Sequence, residues 1–597
     1  MKSHLQELLR AALQPLIAGS EVRAPDNIQI DAAKDKSHGD FASNIALMLA
    51  KPLGKPPRAV AELLVKNLPP SPRVAKVEIA GPGFINFFLA TDAFQAVVAD
   101  VLAGGAKFGR DDSGGKGRIM VEFVSANPTG PMHVGHGRNA AYGDTVSNLL
   151  AATGWIVWRE YYINDAGRQV DILALSVWLR YLELCGEILP FPRRGYPADY
   201  IRHTAQTLKD SHGEKFQHDA TAVLAGLPPE PLVPEGASGK EKDSIKLQQE
   251  SHADALIARA KTLLGESYGL IQRQALDDQL AVIRATLEAF SVRFDQWTSE
   301  KALVDGGFVQ KALARLRDAG LVYDRDGAVW LRTEQFGDEK DRVLIKADGA
   351  ATYFCNDLAY HVDKLDRAKT NDQPPLLMDV WGADHHGYIG RVRAAIEALT
   401  GRKDALNVQL IQFVTLSSGK MGKRSGNFVT LKDLIDEAGA DATRFFYLMR
   451  SHDQHLEFDI DLARSQSNDN PVYYVQYAHA RVCSVFAQLA ERGGTYDPAA
   501  GLAALHRLDS EHEKALLVQL ARFPEVLRKA AAEFEPHTLA FYLKDGLADA
   551  FHSYYNVHKF IVDDAELQAA RLTLIAAARQ VLRNGLAILG VSAPEKM

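Results

Sequence analysis

RIMVEFVSANPTGPMHVGHGRNAAYGDTVSNLLAAT, residues 118–153, contains the turn on which the fold of this chain is decided. Residues 119–124 are a short, mostly apolar run, the form of a strand buried on both faces of a parallel sheet. An Asn127-Pro128 turn follows, then His133-Val134-Gly135-His136, then a helix expected over about 135–153. A strand that passes through a glycine-bearing loop into a helix aims backbone N–H groups and the positive end of the helix dipole at one spot, where an anion can dock. Gly135 removes the side chain between the two histidines. Both imidazoles can therefore reach phosphate oxygens and donate to charge that develops during phosphoryl transfer. An isolated HxGH is most often a turn and a helix cap; strand, Asn-Pro turn, HxGH and helix in succession argue for chemistry.

Working outward, further apolar strands are expected at 155–158, 343–345, 376–381 and 408–416, with a helix after Tyr388. Strands alternating with helices imply α/β organisation, a parallel sheet with crossover helices. The first hundred residues read as a small α+β unit. Leu5, Leu8, Leu9, Ala12 and Leu13 follow helical spacing, and the strand-like runs 77–79 and 84–89 are split by Gly81-Pro82-Gly83. Residues 107–117 read as a linker, and 196–300 as a helical insertion with a proline-rich loop at 227–243. Beyond about residue 470 the chain is helix-compatible throughout, and the amphipathic stretches 502–534 and 567–589 predict a bundle. The expected domains are 1–110, 118–465 carrying the insertion, and 470–597.

Composition narrows the class. The 597 residues are 47% hydrophobic and 24% charged, with 68 basic against 75 acidic side chains and a net charge of -7. That excludes a uniformly basic polyanion coat, but not a local basic groove. Cys185, Cys355 and Cys483 are scattered and form no CxxC, so no structural zinc and no disulfide framework are expected, and a reducing, cytoplasmic setting fits. No run of eighteen apolar residues exists, so no membrane contact is expected. Glu7 and Arg10 in the first helix argue for an ordinary amphipathic helix rather than a presequence.

A second chemical signal is SSGKMGKRSGN, residues 417–427, after another apolar run. Glycines and serines around Lys420, Lys423 and Arg424 can wrap a triphosphate, although the Walker A spacing is absent. Glu122, a carboxylate within an apolar strand, demands a partner. Asp384-His385-His386 lacks a third ligand at suitable spacing, so no metal site is expected. In the C-terminal helices Tyr473, Tyr474, Tyr477, His479 and Arg481, then Tyr554, Tyr555, His558 and Lys559, interleave aromatics with cations, a pattern that suits splayed single-stranded bases as well as a packed core.

These segments together resemble the HIGH and KMSKS signatures of class I aminoacyl-tRNA synthetases, and the neighbouring residues resemble the bacterial-type arginyl branch. The pieces are VEFVSANPTGPMHVGHGRNAAYGD (121–144), EYYINDAGRQVD (160–171), ATYFCNDLAYHVDK (351–364), WGADHHGY (381–388), GKMGKRSGNFVTL (419–431) and DATRFFYLMRS (441–451), with HGDFASNIALMLAK (38–51) similar to that family's N-terminal domain. The resemblance implies a Rossmann-type catalytic domain, an N-terminal additional domain that contacts tRNA and an all-α anticodon-binding bundle. It implies a monomer that joins arginine to its cognate tRNA with ATP and magnesium, and that needs tRNA bound before arginine is activated. By the same resemblance His133 and His136 face ATP with Gly135 and Met421, while Lys420 and Lys423 close on the pyrophosphate. Tyr353 and Asp357 read the guanidinium; Glu122, Ser125 and Asn127 meet the ammonium and carboxylate; Asp384 and His385 form the far wall. Tyr477, Arg481 and Tyr555 are the expected anticodon-loop contacts. The sequence departs from KMSKS at Gly422, where serine is usual, and at Arg424. A cysteinyl enzyme would want thiol and histidine zinc ligands, and cytidylyltransferases with an HxGH turn are much shorter. A non-enzymatic tRNA-binding relative would be expected to lose Glu122, Asp357, Lys420 or Lys423, and all four are present.

Overall fold

A computed structural model describes residues 1–20, 22–25, 28–33, 38–90, 93–115, 117–369, 375–417 and 429–597. The chain forms two compact units, residues 112–465 and residues 1–111 together with 466–597. The two ends of the chain thus share one unit.

The central unit is built on five parallel strands, Arg118–Glu122, Ile156–Ile163, Gln296–Ser299, Leu376–Gly382 and Leu406–Ile411. Numbered along the chain, their spatial order is 3-2-1-4-5. That is the Rossmann order, whose binding crevice lies where the chain reverses direction across the sheet, between strands 1 and 4. The helix Val134–Ala152 follows the first strand, as its sequence predicts. Phe123 packs against it so closely that a Cβ on Gly143 would lie 2.3 Å from the Phe123 ring.

Three expectations need correction. Residues 343–345 do not join the parallel sheet; Arg342–Ile345 pairs antiparallel with Ala328–Leu331, which pairs with Val322–Arg325. A short apolar run has no periodicity to tell one sheet from another. Residues 408–416 are two strands, Leu406–Ile411 in the main sheet and Val414–Leu416 paired with Leu456–Phe458. Gln296–Ser299, inside the stretch read as the helical insertion, is an edge strand of the main sheet, and its four residues are too few to show alternation. Elsewhere that stretch is mainly helical, chiefly Asp199–His212, Gly239–Leu264 and Tyr268–Ala289, and the loop expected at 227–243 ends at Ser238, which caps the second of these helices.

In the other unit the N-terminal segment forms a four-stranded antiparallel sheet in which Val74–Ala80 and Phe84–Leu89 make the expected hairpin. Leu5, Leu8, Leu9, Ala12 and Leu13 are all buried, so the first helix is a packed amphipathic one. The C-terminal segment is the expected bundle, with the helices Pro471–Glu491, Glu511–Ala532 and Ala565–Leu589. Ala565–Leu589 is apolar nearly all round because it runs through the middle of the packing.

Candidate active site

Sheet register creates the first feature of the site. Glu122 lies opposite Asp379 on one neighbouring strand and opposite Glu160 on the other. Register partners in a parallel sheet point to the same face, so three carboxylates stand in a row at roughly 4.8 Å strand spacing. Unpartnered, such a row could not stay ionised. The helix Tyr353–Ala368 supplies the partners from one face, at 357, 360, 361, 364 and 367. Lys364, fully buried, reaches Glu122 at 2.5 Å and Asp379 at 2.7 Å. Arg367 grips both oxygens of Glu160 at 2.6 Å, and the Tyr360 and Thr298 hydroxyls donate to the same carboxylate. Burial raises the Asp379 carboxyl, but Lys364 and His361 outweigh it and bring it down to about 2. At Glu122 burial prevails over Lys364 and holds the carboxyl above its ordinary value.

Above this row lies a cavity of about 500 Å³, bounded by Glu122, Ser125, Tyr162, Glu300, Tyr353, Asp357, Tyr388 and His385, among others. Its floor at the end of the first strand is strained. Val124 and Ser125 have φ of 67° and 40°, a left-handed conformation that costs non-glycine residues about 1–3 kcal/mol each. Asn139 on the following helix holds the turn, accepting from the Val124 N–H at 2.7 Å and donating to the Val380 carbonyl at 3.0 Å. The turn sets the Ser125 hydroxyl to donate to Glu122 at 2.9 Å while it accepts from the Tyr162 N–H. Asp357 lines the cavity beside Tyr388, whose hydroxyl is set against its carboxylate, and Oδ2 is buried. Burial pushes that carboxyl above its ordinary value. Four positions earlier on the same helix, Tyr353 is 93% exposed at the cavity rim.

The HxGH turn borders a neighbouring cavity of about 340 Å³, lined by Asn127, Thr129, Gly130, Pro131, His133, His136, Tyr196 and Tyr200. The two rings stack with centroids 3.6 Å apart. His133 Nδ1 accepts from the Gly135 N–H at 3.1 Å, and His136 Nδ1 accepts from the His133 N–H at 3.2 Å. Burial, followed by the neighbouring His133, lowers His136 to about 3, and burial lowers His133 as well. Both rings are therefore neutral near pH 7 with the proton on Nε2, an outward donor. A Cβ at Gly135 would sit 2.9 Å from His133 Cε1, so a side chain there would push the His133 ring out of its stack.

The other predicted residues are distributed as follows. Asn127 lines the histidine cavity rather than the acidic one, and Asp384 is exposed beside His385 without lining either. Lys420, Met421, Gly422, Lys423 and Arg424 lie outside the described residues. The chain just beyond them joins the HxGH turn: Thr430 bridges to His133, and the Leu431 N–H donates to the Met132 carbonyl at 2.8 Å. In the bundle, Arg481 stacks on both Tyr477 and Tyr555, 4.3 and 4.6 Å from the ring centroids, and donates to His552 Nδ1 at 3.1 Å. All three predicted residues meet, half-buried, at one surface; Tyr554 and His479 are core. Asp379, His361, Lys364, Tyr360 and Glu300 received no role from the sequence. A charge inside the run LLMDVW, and the 357-361-364 spacing on one helix face, were signals that could have found the first three.

A Rossmann sheet in 3-2-1-4-5 order, with an HxGH turn after strand 1 and an acidic cavity at the switch point, defines the catalytic core of a class I tRNA synthetase. The class I (R) tRNA synthetase catalytic domain family matches residues 97–183 and 271–457, the arginyl tRNA synthetase N-terminal domain family residues 3–89, and the DALR anticodon binding domain family residues 475–597. An arginine–tRNA ligase from Thioalkalivibrio sulfidiphilus is 51% identical over all of both chains, and one from Azoarcus sp. 52% identical over 99% of each. The arginyl-tRNA synthetase structure from Thermus thermophilus superposes with a TM-score of 0.73 at 25% identity over the whole of both chains. The chain belongs to the arginyl-tRNA synthetases, ligases that activate arginine with ATP and attach it to tRNA for protein synthesis.

Proposed function

We propose that the acidic cavity is the arginine pocket and the HxGH cavity the site of the ATP phosphates. The observation that carries this reading is the set of four acids, Glu122, Glu300, Asp357 and Asp379, that line one cavity. Such a cluster of acceptors suits a cationic donor, and a guanidinium offers five donors in a plane together with a permanent charge. Tyr353, exposed at the rim, closes over the guanidinium plane. Glu122 and Ser125 receive the ammonium end.

The arginine carboxylate attacks the α-phosphorus of ATP in line; a P–O bond forms, and pyrophosphate leaves with the electrons of the bond that breaks. This step needs positioning and charge stabilisation rather than a protein nucleophile. The Nε2–H groups of His133 and His136 donate to phosphate oxygens, and Lys420 and Lys423 neutralise the departing pyrophosphate. No described residue lining the histidine cavity is a carboxylate, which favours magnesium arriving on ATP and held by phosphates and water. A ribose hydroxyl of the tRNA terminal adenosine then attacks the arginyl carbonyl and AMP leaves. Tyr477, Arg481 and Tyr555 take anticodon-loop bases by stacking. The enzyme acts as a monomer in the cytoplasm, and the three free thiols suit that reducing compartment.

ATP–pyrophosphate exchange with each of the twenty amino acids, with and without tRNA, tests the reading. Exchange with arginine alone, dependent on tRNA and abolished by chelating magnesium, is expected. Exchange with another amino acid would overturn the pocket assignment, and arginine exchange without tRNA would overturn the tRNA requirement.

A further inference from the structure

His361 lines the acidic cavity at the joint between the acid row and Asp357. It is 1% exposed on the Tyr353–Ala368 helix. Its Nε2 lies 2.8 Å from Asp379 Oδ2. Its Nδ1 lies 2.8 Å from the Asp357 carbonyl and 3.5 Å from Asp357 Oδ1. Every one of these partners is an acceptor, since Asp379 is also gripped by Lys364 and stays ionised. A neutral imidazole has one donor and one acceptor nitrogen, so either tautomer would set a lone pair against an oxygen; only the imidazolium satisfies both sides.

We propose that His361 is a positioning residue for arginine: its doubly protonated ring ties the guanidinium-reading Asp357 to the buried Asp379 and fixes the Asp357 carboxylate at the cavity wall. This rests on the assignment of Asp357 to the guanidinium. The charged and titratable groups around the ring are Asp357, Lys364 and Tyr360 on its own helix, Asp379 on the fourth strand and, beyond Lys364, Glu122 on the first. Burial and Lys364 push the imidazole down, and Asp357 and Asp379 outweigh them, so it titrates above its ordinary value. The imidazolium is held to higher pH than an ordinary imidazole and is lost as pH rises through that elevated value. Arginine affinity falls with it, while the HxGH histidines, already neutral, contribute nothing over this range.

The test uses the full-length enzyme with saturating tRNA, measuring KM and kcat for arginine and for ATP in pyrophosphate exchange between pH 6 and 8.5. His361→Gln is expected to raise the arginine KM about ten-fold near neutral pH, about 1.4 kcal/mol, with kcat moving about three-fold or less and the ATP KM unchanged. The ratio of variant to wild-type KM should shrink toward one as pH rises through the elevated value of the ring, and taking the ratio cancels the titration of arginine itself. A ratio of one at every pH overturns the proposal, as does a loss shared equally between arginine and ATP. Should the variant fail to fold, a flat wild-type arginine KM over the same range is the overturning result. Asp357→Asn in parallel separates the two ideas: if it too leaves the arginine KM unchanged, the pocket reading has failed, whereas a neutral His361→Gln beside a damaging Asp357→Asn sinks only the role of His361.

Discussion

Asp357→Asn separates recognition from folding more sharply than any other single substitution in the pocket. The amide keeps the shape of the side chain and leaves the backbone carbonyl that His361 uses at 2.8 Å. What it removes is the carboxylate charge on the cavity wall. A hydrogen bond to a charged group contributes about 1.5–3 kcal/mol, so the arginine KM should rise about 10- to 150-fold. The variant should discriminate less well between arginine and citrulline, whose ureido group carries no charge. Stability should move the other way. Burial raises the Asp357 carboxyl, so its ionised form at neutral pH destabilises the folded state, and an amide removes that cost. The unliganded variant should therefore melt at the wild-type temperature or slightly above it. Pyrophosphate exchange with tRNA present and a thermal melt without ligands check both. An arginine KM within two-fold of wild type, or an equal rise in the ATP KM, refutes the reasoning; so does a large drop in Tm.

Other outcomes follow from the same geometry. His136→Ala should slow adenylate formation about 10²–10³-fold with tRNA affinity nearly unchanged, and wild-type kcat at saturating arginine should show no histidine limb between pH 5.5 and 8, because His136 titrates at about 3; single-turnover kinetics across that range decide it. Arg367→Ala leaves Glu160 buried without its cation and should cost about 3–5 kcal/mol, seen as a lower urea midpoint. Burial raises Glu160 while Arg367, Lys364 and Tyr360 together bring it below its ordinary value, so its contribution holds above the unfolded pKa and is lost as pH falls through the folded one; the wild-type midpoint should approach that of Arg367→Ala in acid, and a constant gap would contradict the account. Arg481→Ala removes the cation between Tyr477 and Tyr555, worth about 0.5–2 kcal/mol, and should weaken tRNA binding about two- to thirty-fold in a filter assay while exchange at saturating tRNA stays intact.

Some of this was legible in the one-dimensional pattern because its physics is local. An apolar run, an Asn-Pro turn and HxGH before a helical period determine a strand, a loop and a capped helix whatever surrounds them, and the stacked, neutral histidines are the outcome of backbone groups two or three residues away. The bundle, the Val74–Ala80 hairpin and the packed first helix rest on periodicity and turn chemistry in the same way. Tyr477 and Arg481 meet Tyr555, some 70 residues on, only through the packing of separate helices.

The acid row shows what the pattern could not reach. Glu122, Glu160 and Asp379 come from three strands separated by up to about 260 residues, and only register brings them side by side. Lys364, Arg367 and His361 then matter because a crossover helix lays one face over that row. Asn127 and Asp384, close in sequence to pocket residues, point elsewhere because a strained turn at Val124–Ser125 and a short helical turn at Ala383–Tyr388 redirect the chain. The sequence by itself determined which chemistry the chain carries, since residue types and local spacing decide what each segment can bind. Tertiary structure alone decided which charges neutralise one another and which acids line the cavity, because Coulomb and hydrogen-bond energies depend on distances that a linear sequence does not contain.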